Sequence, residues 1–524
     1  MIYLICFISG VLSSLPLLFD CLFPLSWVSL APMFYVLIQK KPLYRYGLIW
    51  GIGYYGVLYY WFIYLYPLDF AGFGNIESVA VIALAWIGLA LFQSAGTALI
   101  APLFGLTKGA AFFVYPFTLA SAWALLEWLQ TQTWLGVPFM RMALSQCSFL
   151  PMIQSAVLLG SLFTGFLIAL VNGFFAVAYI ELKKQKQINR YAIGALSIAL
   201  SIMMLNLAFG IIRLSYYTDT GEQVHVALIQ GNIASGDKWL DNSVYDSVAL
   251  YDKLTREAFA EYGPDIVLWP ETVINVTLKS NPVLIDLVSK TATETETVIL
   301  TGTFDRRLND QTGAVETYNA ICAFYPDGSV GDVSYYKRHP VPFGEYLPMA
   351  DIMEIILPML ANMNVFSSDI TPGTESALIQ TEFGKIGGLV CFDSIYETLT
   401  IASIRDGAQI IGLVTNDSWY RDSAAVYQHN KHAQLRAVET GRYVARAANT
   451  GISSIIKPTG GITTSLPPLE SGYIKGEVYF YDNLTPYMRM GNIIVLISGI
   501  ICIGGIIINV YDKSRRRNVF PHNT

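Results

Sequence analysis

Three segments of this chain end an apolar run on a side chain suited to acyl chemistry. In Gly387-Gly388-Leu389-Val390-Cys391-Phe392-Asp393 a thiol closes the run and a polar turn follows. In Asp265-Ile266-Val267-Leu268-Trp269-Pro270-Glu271 a carboxylate closes it, and Tyr335-Tyr336-Lys337 brings an amine, with Glu345 shortly after. A thiol is a strong nucleophile only as the thiolate, which a neighbouring base or cation favours. Glu271, placed after Pro270 at the end of a strand, can take that proton and later protonate a leaving group; burial would raise its pKa toward that task. Lys337 can offer a positive charge to a tetrahedral oxyanion, an interaction that strengthens as the charge develops, and Glu345 can pair with Lys337 and hold it. Taken singly each residue has an ordinary alternative: a packed small hydrophobe for Cys391, a surface acid for Glu271, a solvated basic edge for Lys337 beside Arg338. All three contexts occurring together in one polar region make the strongest signal in the chain.

The elements that must position these groups are short strands. From about 216 to 485 the runs Val224–Gln230, Asp265–Trp269, Val298–Gly302, Ile386–Cys391 and Ile410–Thr415 are β-branched and apolar with polar flanks, as buried strands are. Helical stretches at 242–261 and 426–441 lie between some of them, and Tyr318–Tyr325 followed by Asp327-Gly328 reads as a hairpin. The pattern predicts an α/β sandwich with the reactive groups at strand ends.

The rest of the chain is apolar. Of 524 residues 53% are hydrophobic and only 14% charged, with a mean hydropathy of +0.45, against about a quarter charged in ordinary soluble proteins. A bilayer core needs about 20 mostly apolar residues per helix, and eight such spans are expected, near 2–19, 22–39, 46–66, 79–103, 110–128, 150–180, 191–212 and 491–511. The span at 150–180 is too long for one straight crossing. The predicted organisation is a membrane domain of seven helices over 1–215, a polar catalytic domain over 216–485, an eighth helix over 486–512 and a basic tail over 513–524. Lys40, Lys41 and Arg45, then Lys108, then Lys183, Lys184, Lys186 and Arg190, and finally Lys513 and Arg515–Arg517 follow the even-numbered spans. By the positive-inside rule both termini are cytoplasmic and the polar domain lies outside the cytoplasm. Segment 1–19 lacks a charged n-region and a small-residue cleavage site, and reads as a retained helix.

A formal net charge of −6 and the lack of a basic stripe argue against a nucleic-acid partner. Six cysteines without CxxC or metal-ligand spacing argue against a disulfide framework, although a Cys322–Cys391 pair stays open. His429 and His432 have no nearby thiol or acid in sequence to complete a metal site, so none is expected. Glu127 and Arg141 flank the aromatic patch Thr133–Phe139, which reads either as an interfacial belt or as a lining for a lipid head group. Residues 352–366 are unusually apolar, fitting either a core helix or a lid whose methionines suit acyl chains.

Taken with these motifs, residues 216–485 resemble the carbon-nitrogen hydrolase (nitrilase) superfamily, and the whole chain resembles its membrane-bound branch, the apolipoprotein N-acyltransferase family. The resemblance runs through Leu126-Glu127, Gly136–Phe139, Gln230-Gly231-Asn232, Lys238-Trp239, Trp269-Pro270-Glu271, Lys337 with His339, Val341–Tyr346, Thr415–Trp419, Gln428-His429 and Arg436–Glu439 to Asn449. It implies an αββα sandwich bearing a Glu-Lys-Cys triad: Glu271 as general base, Lys337 as oxyanion stabiliser, Cys391 as nucleophile. It further implies support for the lysine from Glu345, an acyl or head-group contact at Trp239, and supporting or substrate-binding places for Phe392, Asp393, Tyr346, Asn416 and Asp417. Where the family usually follows its cysteine with Tyr-Glu, this chain has Phe392-Asp393. The implied partners are a phospholipid acyl donor and a diacylglyceryl-lipoprotein acceptor at the bacterial inner membrane, with no cofactor and a monomeric enzyme. A membrane-anchored amidase releasing the acyl group to water is the alternative. A transporter with a degenerate outer domain is a third reading, against which the spans lack paired broken helices.

Overall fold

The computed structural model describes the chain apart from residues 69–71, 110–111, 133–135, 186–188, 235, 237–242, 333, 347–368 and 520–524. Trp239, the 352–366 segment and residues 133–135 of the aromatic patch thus lie outside the described residues. The chain divides into two compact units, one of residues 1–62, 81–217 and 489–524, the other of residues 63–80 and 218–488.

The first unit is helical. Among the described residues seven helices are long and apolar enough to cross a membrane: Asp20–Gln39, Tyr44–Leu65, Asn75–Thr107, Phe112–Leu129, Ser161–Lys184, Arg190–Tyr216 and Ile493–Ser514. The first expected span is the helix Ile2–Leu18, whose 17 residues make about 25 Å at 1.5 Å each. The over-long 150–180 segment is broken at Gly160, whose φ of +81° ends the short helix Ala156–Leu159 before Ser161–Gln185 begins. Glu127 and Arg141 are 2% and 1% exposed. Glu127 Oε1 accepts from Trp123 Nε1 at 3.1 Å and from the Met142 amide at 3.0 Å, and Arg141 Nη1 donates to Ser161 Oγ at 3.2 Å. Both are internal ties of the helical unit.

The second unit is a two-sheet sandwich. Its strands are β1 (Glu222–Gln230), β2 (Ile266–Leu268), β3 (Ile274–Thr277), β4 (Val298–Leu308), β5 (Val315–Phe324), β6 (Tyr335–Tyr336), β7 (Leu378–Thr381), β8 (Gly384–Val390), β9 (Ile410–Thr415), β10 (Val444–Ala448), β11 (Ser453–Ile456), β12 (Ile462–Leu466) and β13 (Gly472–Phe480). One sheet runs β13-β1-β2-β4-β5-β6 with β3 also on β4; the other runs β12-β11-β10-β9-β8-β7. Each has a parallel centre, β1-β2-β4 and β8-β9-β10, and antiparallel edges. Alternation along β1 sends Val224, Val226 and Leu228 between the sheets, where they meet Ile386, Val390 and Ala445, and sends Ala227 and Ile229 outward under the helices Ser243–Tyr262 and Pro282–Glu294. The helices Glu397–Arg405 and Ala424–Thr440 pack on the outer side of the second sheet. The layers are αββα.

All six cysteines are free. Cys322 packs in the outer layer, beneath the first sheet's helices, and Cys391 packs between the sheets. The pairing left open by the sequence is therefore not made.

Candidate active site

Parallel strands in open α/β sheets gather their loops at the carboxyl ends, and ligands bind there. Glu271 follows β2, Cys391 follows β8, Asn416 and Asp417 follow β9, and Lys337 follows β6. The Pro270-Glu271 turn lies tightly on β4: Gly302 N donates to Pro270 O at 3.1 Å, and a Cβ at Gly302 would fall 2.5 Å from the Glu271 Cα. Only glycine permits that approach. Thr272 beside it has φ +50° and Cys391 itself φ +49°. Such left-handed conformations cost about 1–3 kcal/mol for residues with a Cβ and persist where surrounding contacts enforce them.

Lys337 is 1% exposed and bridges two carboxylates, Glu271 Oε1 at 3.1 Å and Glu345 Oε2 at 2.8 Å. Burial alone would pull its ammonium down, but Glu271, Glu345 and Cys391 outweigh it and hold the pKa well above the ordinary value. Asn319 on β5 donates to Glu271 Oε1 at 2.8 Å and to Glu345 Oε1 at 3.1 Å. The Lys337 amide bonds Asn319 O at 2.8 Å, which sets lysine and asparagine side by side. Glu271 Oε2 accepts the Asn416 amide at 2.8 Å, and Glu345 Oε2 accepts the Val341 amide at 2.7 Å. Each glutamate is thus fixed by donors other than the lysine.

Cys391 is 8% exposed. Burial, then Glu271, push its thiol well up; Lys337 pulls it back, Asp417 adds to the rise and a Thr415 hydrogen bond opposes it. The resting form is the thiol. Tyr420, its hydroxyl raised by burial and by Cys391, shares this electrostatic field.

The remaining expected residues fall into two groups. Asp393 is fully buried and accepts from the amides of His339 at 2.8 Å, Arg338 at 3.2 Å and Val390 at 3.2 Å, and from Tyr335 Oη at 2.9 Å. Its carboxylate ties the lysine-bearing loop to the nucleophile's strand. Phe392 is buried edge-on to Tyr396, with ring centroids 5.7 Å apart. Asn416 Oδ1 accepts from Asn449 Nδ2 at 3.1 Å, and Tyr346, half-buried, closes the Val341–Tyr346 turn through its carbonyl to the Phe343 amide at 2.9 Å. Asp417 is fully buried between Arg446 Nη2 at 2.7 Å and His429 Nδ1 at 2.8 Å. Burial opposes its charge, yet Arg446 and His429 hold its carboxyl far below the usual carboxylate range.

Sequence reasoning passed over Asn319, Arg446 and Ser394. Asn319 and Arg446 sit mid-strand and carry no local mark of a role. His429 drew notice as a metal ligand and within the Gln428-His429 motif, with no role assigned to it there. Donor atoms of Cys391, Asp417 and His429 do lie within 4.8 Å of one another, but the Arg446 guanidinium already supplies the cation that Asp417 needs. A divalent ion there would meet a fixed positive charge.

A family model described as "Carbon-nitrogen hydrolase" matches residues 225–480, which take in most of the αββα sandwich. A second, "Apolipoprotein N-acyltransferase N-terminal domain", matches residues 9–174. The apolipoprotein N-acyltransferase of Geobacter metallireducens is 30% identical over 519 residues, which is 99% of this chain and 96% of that protein. That of Shewanella oneidensis is 27% identical over 89% of this chain and 88% of its own length. Among solved structures, the nitrilase-superfamily protein Nit3 of Saccharomyces cerevisiae aligns with 20% identity and a TM-score of 0.38, over 49% of this chain and 90% of its own. The chain belongs to the apolipoprotein N-acyltransferase family.

Proposed function

We propose that the chain moves an acyl group from a phospholipid to the α-amino group of the diacylglyceryl-cysteine that begins a bacterial lipoprotein, by way of a thioester on Cys391. The observation that carries this reading is the meeting of Glu271, Lys337 and Cys391 at strand ends from both sheets, within a chain whose full-length relatives are apolipoprotein N-acyltransferases. Because the buried sulfur rests as a thiol, Glu271 takes its proton as the C–S bond forms and the carbonyl electron pair moves onto oxygen. An ammonium has three N–H donors; two serve Glu271 and Glu345, and the third is assigned to the oxyanion. Collapse breaks the ester C–O bond, and the lysophospholipid oxygen leaves with the proton from Glu271. In the second half the free amine attacks the thioester, Glu271 accepts its proton and returns it to the departing sulfur, and an amide forms. Excluding water protects the thioester meanwhile.

Substrates of this kind live in a bilayer, which gives the seven apolar helices a purpose. The basic loops support placing the catalytic unit on the outer face of the inner membrane with both termini in the cytoplasm.

Purified protein incubated with a defined diacyl phospholipid is expected to gain one acyl mass on the Cys391 peptide. Adding a diacylglyceryl peptide should then discharge it into an N-acylated product. No adduct in the wild type, or one that survives Cys391→Ala, would sink the mechanism. Release only as free fatty acid would make the protein a hydrolase instead.

A further inference from the structure

Behind the nucleophile lies a buried charged set that the proposed mechanism does not use. Asp417 and Arg446 are fully buried and His429 is 1% exposed. Arg446 Nη2 holds Asp417 Oδ2 at 2.7 Å, its Nη1 binds the Ile452 carbonyl, and Asp417 Oδ1 holds His429 Nδ1 at 2.8 Å. The other ring nitrogen, Nε2, lies 3.1 Å from the carbonyl oxygen of Cys391 and 3.0 Å from Ser394 Oγ, while Ser394 Oγ lies 2.8 Å from that same carbonyl. The carbonyl can only accept: Ser394 Oγ donates to it, and His429 Nε2 lies within hydrogen-bond reach of the same oxygen. These bonds hold the one peptide unit whose left-handed residue, Cys391 at φ +49°, aims the sulfur. The neighbouring Asn416 amide holds Glu271 at 2.8 Å, so adjacent residues after β9 anchor the base and, through His429, the nucleophile's backbone.

We propose that Asp417, His429 and Arg446 are positioning residues for acyl transfer: they lock the Cys391 peptide from behind so that its sulfur meets Glu271 and Lys337. None of them touches substrate in this role. The inference rests on Cys391 being the nucleophile.

The test measures lysophospholipid release, lipid KM and Tm on the full-length protein in detergent. His429→Leu fills the space without a donor and should lower kcat by about 100-fold, the scale of a misplaced reacting atom, with lipid KM unchanged. His429→Gln keeps an amide donor near the Nε2 position and should recover about tenfold of that loss with no gain in Tm. A histidine needed only for packing predicts the reverse order. If His429→Leu fails to fold, Gly451→Ala tests the same network without removing a polar group, because its Cβ would lie 2.1 Å from Asp417 Oδ2; kcat should again fall at constant KM. Equal losses in the leucine and glutamine variants, losses that track Tm, or wild-type kcat in Gly451→Ala would overturn the proposal. Absence of any Cys391 adduct in the wild type would overturn it together with the thioester reading, a result distinct from a normal adduct formed at normal rate in His429→Leu.

Discussion

At the scale of residues, the unusual feature of the site is a thiol held in its neutral form between a carboxylate that raises it and an ammonium that lowers it. Burial ranks first among the causes and its pKa lies well above the ordinary 9.0. The sign follows: at any pH below that value less thiolate is present than on a free cysteine. Alkylation of Cys391 by iodoacetamide should therefore be slower than that of free cysteine at pH 7 and keep rising through pH 9; a plateau below pH 8 would contradict it. Lys337, raised by its two carboxylates, stays charged throughout that range and contributes no limb to the profile. Asn319 offers a second prediction. Its amide serves Glu271 and Glu345 together, and hydrogen bonds to charged groups contribute about 1.5–3 kcal/mol each. Asn319→Leu should lower Tm and cut the acylation rate by about tenfold or more as Glu271 loosens, whereas unchanged kinetics would assign the base's orientation to the Asn416 amide alone. Cys391, Glu271 and Lys337 were legible because each ends an apolar run. Asn319 was not, since nothing in Tyr318-Asn319-Ala320 marks it and its partner Glu271 is 48 residues away.

At the scale of elements, the site depends on loops from different strands being tied to one another. Asp393 does this by accepting three amides and a tyrosine hydroxyl while fully buried. Asp393→Ala would orphan those donors in a dry interior at about 1–3 kcal/mol each, so a large fall in Tm is expected. Asp393→Glu keeps the charge but overpacks the site, which typically costs about 1–3 kcal/mol; a Tm equal to wild type would show that the pocket has room for the longer arm. Five strands were readable from apolar runs: the expected 224–230, 265–269, 298–302, 386–391 and 410–415 overlap β1, β2, β4, β8 and β9. The helices expected at 242–261 and 426–441 overlap Ser243–Tyr262 and Ala424–Thr440. β10 escaped because Val444-Ala445-Arg446-Ala447-Ala448 carries an arginine at its centre and alanines elsewhere, a poor strand by propensity. Its arginine is neutralised by Asp417 across the sheet, a long-range pairing with no local signature.

At the scale of the whole molecule, length and charge distribution decide what the helices can do. Apolar runs located the helical segments, but two details follow from turn geometry that run length does not encode: the helix Ile2–Leu18 stops at 17 residues and the 150–180 run breaks at Gly160. The orientation argument uses only where Lys and Arg collect, because translocating a cationic loop against the membrane potential is unfavourable. It makes a prediction independent of chemistry. A cysteine introduced at Asp310, in the exposed turn between β4 and β5, should react with a membrane-impermeant maleimide in intact spheroplasts. One introduced at Lys184, exposed at the end of the helix Ser161–Gln185, should react only after lysis. Because Cys21 is itself exposed, both probes belong in a Cys21→Ser background. The opposite labelling pattern would place the thioester site in the cytoplasm and remove the reason for linking it to lipoprotein acceptors, whose modified N-termini would then be out of reach. Labelling at both positions before lysis would mean leaky cells, which a cytosolic marker enzyme in the supernatant would reveal.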